Sequence, residues 1–188
     1  MIKNISNLGD AALYCDFGSD VNKKINSEVI KYFNTIREQN INGINNLTPS
    51  YNKLIISYDL KVTNYKEIKD KIEKLNVAKT LKTNNKKIEI PVCCDPSFSL
   101  DMERLENKLN LIKKKILENF FNKEFFCYMT GFIAGMPFLG DLDENMRVQR
   151  LETPRVKGPK GSVGITEKFA DIYTFESPGG WTIIGNTP

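Results

Sequence analysis

The first half of the chain alternates between short apolar segments and amphipathic stretches. Residues 11–17 and 51–58 are apolar runs beside turn-forming residues, a pattern that predicts two β-strands. Residues 20–39 carry apolar side chains at three- and four-residue spacing, which predicts a helix, and Asn40–Asn46 is rich in residues that end helices. A second amphipathic helix is predicted over residues 65–75. This order of elements predicts a small N-terminal α/β sandwich.

A polar, basic stretch separates this half from the next. Thr80–Lys87 reads TLKTNNKK, a composition that cannot pack into a core. We therefore place a domain boundary near Asn85, which gives domains over residues 1–85 and 86–188.

The second half begins with regular patterns and then loses them. Ile88–Cys93 alternates as a strand would, and residues 101–121 predict one helix. From Phe125 onward, apolar and aromatic stretches are interrupted by Gly and Pro without a helical period. This texture predicts short strands and shaped loops that close a barrel or sandwich, so the second domain should be mostly β and the whole chain α+β.

Composition and charge exclude several functions. With 27 Lys and Arg against 23 Asp and Glu, the net charge is only +4 and is spread along the chain, so nucleic-acid binding is not indicated. The longest uncharged run, Phe125–Gly140, is too short and too broken to span a membrane, and no apolar leader follows the N-terminus. We therefore expect a cytoplasmic protein.

The chemistry available to the chain is restricted because it contains no histidine. This removes the commonest general base and the commonest transition-metal ligand. Asp141, Asp143 and Glu144 form a carboxylate cluster, but we interpret it as a solvated loop and expect no metal site.

Three glycine-rich segments are more specific than an ordinary core. They read GFIAGMPFLG at Gly131–Gly140, TPRVKGPKGSVGI at Thr153–Ile165 and SPGGW at Ser177–Trp181. Glycine allows a backbone to approach a ligand or another strand closely. The turn at Gly158–Ser162 lacks the GK[ST] order of a phosphate-binding loop, so we exclude that motif.

Together with LGDAAL near the N-terminus and GINNLTPSYNKLIISYD at Gly43–Asp59, these segments identify a family resemblance. From about Leu8 to Pro188 the chain resembles the family of the 5-oxoprolinase B subunit, also called the KipI or allophanate hydrolase subunit 1 family. The resemblance implies subdomains C and D of a carboxyltransferase domain, with a cyclophilin-like β-barrel as the second domain.

The resemblance also implies an activity. It implies ATP-dependent opening of 5-oxo-L-proline to L-glutamate, with ATP as co-substrate, in a complex with the A and C subunits of 5-oxoprolinase. Members of the family usually read GFxPGFxYL where this chain has Ala134, Met136 and Phe138, and end IGRTP where it has Asn186. Relatives continue to a final GDxVxF strand, which we expect to be missing here.

Candidate site residues follow from the chemistry of lactam opening, which requires polyanions to be held and an oxyanion to be stabilised. Guanidinium and ammonium groups and backbone N–H groups in glycine turns suit both tasks. We predict Arg155 and Lys160 as catalytic residues. The predicted substrate or anion contacts are Arg150, Lys157, Gly161, Ser162, Gly179 and Gly180.

Two other functions remain open at this point. One branch of the family inhibits a histidine kinase through protein contacts, which would make the chain a regulatory binding module. The chain could also serve as a scaffold for a partner that carries out all the chemistry.

Overall fold

The computed structural model describes residues 1–77 and 86–188. The chain divides into two compact units, Met1–Asn85 and Lys86–Pro188. The boundary predicted near Asn85 lies outside the described residues, as does most of the polar stretch before it. Each unit has its own buried apolar core.

The first unit contains a four-stranded antiparallel sheet in the order β1-β2-β4-β3. Its strands are β1 (Asn4–Asn7), β2 (Ala12–Asp16), β3 (Ile44–Pro49) and β4 (Lys53–Tyr58). The predicted strands correspond to β2 and β4, in which alternate side chains such as Leu54 and Ile56 are fully buried. The two edge strands were not predicted, because β1 and β3 are short and largely polar.

Two helices cover this sheet, both close to their predicted positions: α1 (Lys23–Gln39) and α2 (Tyr65–Glu73). The Asn22 side chain accepts a hydrogen bond from Ile25 N–H at 2.9 Å, and Asn64 caps α2 in the same way. Asn40 ends α1 in the left-handed conformation, with φ of 45°. Both helices therefore begin at an asparagine cap, and α1 also ends at one.

The second unit begins with a helical pair where the sequence predicted one helix. The two helices are α3 (Met102–Leu109) and α4 (Lys113–Phe121). Asn110 adopts a left-handed φ of 52° and ends α3, so the single-helix prediction was wrong. The predicted strand Ile88–Cys93 is also wrong, since the segment forms only an isolated bridge between Cys93 and Asn186.

Seven strands follow in two antiparallel sheets, a five-stranded sheet in the order β11-β8-β9-β6-β5 and a two-stranded β10-β7 pair. They are β5 (Phe126–Thr130), β6 (Pro137–Gly140), β7 (Arg155–Gly158), β8 (Ser162–Thr166), β9 (Phe169–Ile172), β10 (Ser177–Gly179) and β11 (Thr182–Asn186). Over the described residues β5 and β11 are the edge strands of the larger sheet and do not pair with each other. The mixed α and β content is confirmed, but the sheets do not close into a barrel, so the cyclophilin-like barrel is not confirmed.

The five-stranded sheet has two faces of different character. One, which we call the helix face, packs against α3 and α4. Its side chains, such as Ile165 and Ala170, form one apolar cluster with helix residues such as Ile116 of α4. The opposite face, which we call the tryptophan face, carries a separate cluster of Met136, Tyr173 and Trp181. Successive residues of a strand point to opposite faces, so Asp171 lies on the tryptophan face between two residues of the helix face.

Candidate functional site

The three glycine-rich segments meet around the tryptophan face. Phe138 of β6 and Trp181 place their ring centroids 5.9 Å apart, which brings the first segment to the third. Pairing of β10 with β7 sets Ser177 opposite Gly158 and joins the third segment to the second. The tertiary structure therefore assembles one candidate site from segments that are far apart in sequence.

Arg155 lies at the start of β7, and its guanidinium is already engaged. It forms an ion pair with the buried carboxylate of Asp101 and donates a longer hydrogen bond of 3.4 Å to the Trp181 carbonyl oxygen. The second oxygen of Asp101 accepts the backbone N–H of Ile183 at 2.6 Å. Arg155 thus connects β7, the start of α3 and the start of β11.

The two predicted lysines are exposed. The Lys157 ammonium lies 3.4 Å from the Glu176 carboxylate, with both side chains largely in solvent. The backbone carbonyl of Lys160 accepts a hydrogen bond of 2.8 Å from the Asn186 side chain. Neither contact brings a lysine ammonium to the Arg155 guanidinium.

Two of the predicted glycines have a steric reason to be glycine. Gly161 has a φ of +81°, and a Cβ there would lie 2.1 Å from the Thr187 carbonyl oxygen. A Cβ on Gly179 would lie 2.0 Å from the Tyr173 hydroxyl oxygen. Both glycines therefore shape the backbone of the site.

Gly180 and Ser162 hold neighbouring segments through their backbones. The Gly180 carbonyl accepts the Leu151 N–H at 2.7 Å, and an added Cβ would meet no atom closer than 3.6 Å. Ser162 is buried, and its carbonyl accepts the Tyr173 N–H at 2.9 Å. These bonds attach the chain around residues 150 and 173 to the glycine-rich turns.

Arg150 presents an exposed guanidinium to the tryptophan. Its central carbon lies 5.8 Å from the centroid of the Trp181 ring, within cation–π range. Arg104 of α3 holds this part of the chain by donating to the Gln149 carbonyl at 3.1 Å and to the Thr182 hydroxyl at 2.7 Å. Over residues 1–77 and 86–188, the Arg150 guanidinium takes part in no ion pair, so it is available to an anion.

Asp171 and Tyr173, on and just beyond β9, were missed by sequence reasoning. Both are buried, Asp171 completely. Burial raises the pKa of the Asp171 carboxyl to about 8, although the nearby Gly164 N–H and the Arg150 guanidinium act in the opposite direction. Burial, and then the charge of Asp171, raises the pKa of Tyr173 to about 12. The sequence did contain a signal for Asp171, because it is an acidic residue inside the apolar strand segment FADIY at Phe169–Tyr173.

This arrangement is suited to an anionic ligand. It combines the free guanidinium of Arg150 with an aromatic surface and a carboxyl that burial keeps neutral near pH 7. Within the described part of the chain, no group of three metal-ligating side chains could hold a metal ion. No described helix is long and apolar enough to cross a membrane.

Comparison with known proteins identifies relatives along nearly the whole chain. The family model described as carboxyltransferase domain, subdomain C and D, matches residues 3–188. The B subunit of 5-oxoprolinase from Bacillus subtilis (strain 168) is 32% identical over 197 residues, which cover 98% of this chain and 82% of the relative. The B subunit of 5-oxoprolinase from Haemophilus influenzae is 40% identical over 100 residues, 53% of this chain and 47% of the relative.

Among solved structures, the urea carboxylase of Kluyveromyces lactis superposes with a TM-score of 0.82 at 18% identity. The match covers 97% of this chain but only 19% of the carboxylase chain. At this identity the likeness concerns the fold alone.

Proposed function

Because the chain belongs to the family of the carboxyltransferase domain, subdomains C and D, we propose that it is the B subunit of an ATP-dependent 5-oxoprolinase. The complex would open 5-oxo-L-proline to L-glutamate together with the A and C subunits, in the cytoplasm, where ATP is available. The observation that carries this proposal is the match to a 5-oxoprolinase B subunit over 98% of the chain.

The proposed reaction must overcome amide resonance in the lactam. Transfer of the γ-phosphoryl group of ATP to the lactam oxygen releases ADP and creates a phosphate leaving group on the ring carbon. Water then adds to that carbon and the ring C–N bond breaks, which frees the amino group and leaves the acyl phosphate of glutamate. A second water hydrolyses this acyl phosphate to glutamate and inorganic phosphate. Every species on this path is an oxyanion, so the protein must supply cations and N–H donors.

Arg150 is the anion contact that we favour, because its guanidinium is exposed on the Trp181 ring and is not already paired within the described chain. Arg155 is then a positioning residue, since its guanidinium is held by Asp101. Lys157 and Lys160 remain in the proposal as outer contacts for a polyanion.

The test is turnover in a complex reconstituted with candidate A and C subunits. Arg150→Gln is expected to lower kcat/KM for 5-oxoproline-dependent ADP formation at least about tenfold, the effect of losing one charge-assisted contact. Lys115→Gln is the matched control, because it removes one positive charge from α4. If turnover is unchanged in Arg150→Gln, the assignment of Arg150 as an anion contact is wrong.

A second candidate function is a protein-contact role without chemistry of its own. Phe132, Val156 and Phe175 are large apolar side chains that are 71%, 81% and 57% exposed. The Thr174 hydroxyl donates to the Ala134 carbonyl at 2.7 Å, which places the loops of Phe132 and Phe175 side by side. Two exposed aromatic side chains on adjoining loops, Phe132 and Phe175, favour a surface for a protein partner.

The same reconstitution separates these roles. If Phe132→Ser and Phe175→Ser abolish turnover while substitutions at Arg150, Arg155 and Lys160 do not, the chain is a scaffold. If the chain captures and inhibits a histidine kinase, and supports no 5-oxoproline-dependent ATP hydrolysis, it is a KipI-like inhibitor.

A further inference from the structure

Asp171 is a buried carboxyl without an evident structural partner. Its side chain is 0% exposed, and neither of its oxygens has a partner in full hydrogen-bond geometry within residues 1–77 and 86–188, although the Gly164 N–H lies near enough to favour the ionised carboxylate. It occupies the space above Gly164, where a Cβ would lie 2.5 Å from the Asp171 Oδ1 atom and 3.0 Å from the Trp181 Cβ atom. Buried polar groups in folded proteins are nearly always hydrogen-bonded, so this exception requires an explanation.

The elements around Asp171 supply few charges. The neighbouring strands β8 and β6 place Gly164 and Phe138 opposite it, and the Asp171 carboxyl and the Trp181 side chain both lie over Gly164. Three titratable or charged groups act at this face: the Arg150 guanidinium, the phenol of Tyr173, which follows Asp171 on the same segment, and the Arg155 guanidinium. The charge of Arg155 is already neutralised by Asp101. Arg150 is therefore the cation that can respond to Asp171.

The charge state of Asp171 determines whether it needs the Arg150 guanidinium as a counter-ion. A neutral carboxyl in an apolar site requires no counter-ion, and the guanidinium can remain on the indole. An ionised carboxylate in the same site is strongly unfavourable unless a cation reaches it. Arg150 already lies close enough to favour the ionised form, and its long side chain is exposed and able to move.

We propose that Asp171 is a positioning residue that controls whether the Arg150 guanidinium is available to an anion. While Asp171 is neutral, Arg150 lies on the Trp181 ring and binds a carboxylate or phosphate oxygen of a ligand. When Asp171 ionises, it draws Arg150 into a buried ion pair and anion binding is lost. The anion role of Arg150 rests on the proposed function, whereas the coupling between Asp171 and Arg150 does not.

Trp181 makes the coupling measurable, because it is the single tryptophan of the chain and lies near both groups, with the Arg150 guanidinium over its ring and the Asp171 carboxyl beside it over Gly164. We expect its emission in the full-length protein to change with a midpoint near pH 8, and Asp171→Asn, which cannot ionise, to lack the transition. Arg150→Gln should move the midpoint to higher pH, since it removes the cation that favours the ionised form. Lys115→Gln, which removes an exposed charge from α4, should leave the midpoint unchanged.

Several outcomes would overturn the coupling. They are a wild-type protein without the transition, a transition that persists in Asp171→Asn, and a midpoint that does not move in Arg150→Gln. The last variant keeps the test decisive even if Asp171→Asn fails to fold, because the Arg150 side chain is exposed.

Ligand binding tests the anion role separately. Quenching of Trp181 emission by 5-oxoproline or by inorganic phosphate is measured at about one pH unit below and one above the midpoint. Affinity in the wild type should fall about tenfold at the higher pH, and in Asp171→Asn by less than about twofold. Inorganic phosphate becomes more negative between these two pH values, which by itself would strengthen its binding to a cation. Weaker phosphate binding at the higher pH therefore cannot come from the charge of the ligand.

The two probes also identify the source of the anion. Binding of 5-oxoproline alone assigns Arg150 to the lactam substrate, and binding of phosphate alone assigns it to a phosphoryl group. If neither probe binds at the lower pH, the anion role of Arg150 is wrong, while the emission titration still decides the coupling.

Discussion

The two faces of the five-stranded sheet in the second unit bury side chains of opposite chemistry. On the helix face, Ile165 and Ala170 are fully buried among apolar side chains, and a buried hydroxyl beside them, that of Thr182, accepts a hydrogen bond from Arg104. On the tryptophan face, Asp171 and Tyr173 are equally buried, but both can ionise, and neither Asp171 oxygen has a partner in full hydrogen-bond geometry among the described residues, although the Gly164 N–H lies nearby. Burying a polar group without a partner costs stability, so burial on the tryptophan face, unlike burial on the helix face, is not explained by packing alone.

The largest expected effect is on the helix face. Ile165→Ala removes a fully buried side chain between the sheet and the helices and should lower the free energy of unfolding by about 4 kcal/mol. Urea denaturation measures this, with Val156→Ala as the exposed control. A loss below about 1 kcal/mol would mean that this face is not closely packed.

Arg155→Ala tests whether the predicted catalytic arginine is structural. It leaves the Asp101 carboxylate buried without its cation, so we expect a loss of about 3 kcal/mol in the free energy of unfolding. Arg155→Lys keeps the charge but not the planar guanidinium, so its free energy of unfolding should lie between those of the wild type and Arg155→Ala. If Arg155→Ala unfolds like the wild type, the guanidinium is free for a ligand and our assignment of it as a positioning residue fails.

The adjacent glycines of the SPGGW segment provide a matched pair. Gly179→Ala places a methyl group against the Tyr173 hydroxyl and should cost about 2 kcal/mol. Gly180→Ala meets no atom closer than 3.6 Å and should change stability by about 0.5 kcal/mol or less. Thermal unfolding of the two variants side by side measures the difference, and equal losses would contradict close packing against Tyr173.

Asp171→Asn should stabilise the protein in a pH-dependent way. Folding raises the pKa of Asp171 to about 8, so the stability associated with its proton is complete below about pH 4 and is lost as the pH rises through about 8. The amide avoids this loss, and we expect the variant to be more stable than the wild type by more than about 1 kcal/mol at pH 9 but similar at pH 4. Urea unfolding across this range is the measurement, and a difference independent of pH would contradict the buried, neutral carboxyl.

The smallest effect is expected at Lys157, outside both faces. Its ion pair with Glu176 is exposed, so Lys157→Gln should change the free energy of unfolding by about 0.5 kcal/mol or less. Denaturation at low and at high salt checks this, because an exposed pair is screened by salt. A larger, salt-insensitive loss would show that the lysine has a buried partner.

Much of the first unit could be predicted from the sequence, because its elements have clear local signals. The apolar spacing of α1 and α2 and the alternation of β4 are determined by which side chains face the sheet core. The polar edge strand β1 and the end of α3 at Asn110 were missed. A four-residue polar strand is recognisable only by its partner, and one asparagine inside an apolar period does not by itself end a helix.

The sequence by itself determined the family and the segments that form the site, since both depend on the order of residues along the chain. Only the tertiary structure decided which of these side chains are paired, buried or exposed. Arg155 pairs with Asp101, which lies 54 residues earlier in the chain. Asp171 is buried beside Gly164 of β8 and Trp181, which directly precedes β11. Charge state and availability are properties of surroundings, and the surroundings of these groups come from distant parts of the chain.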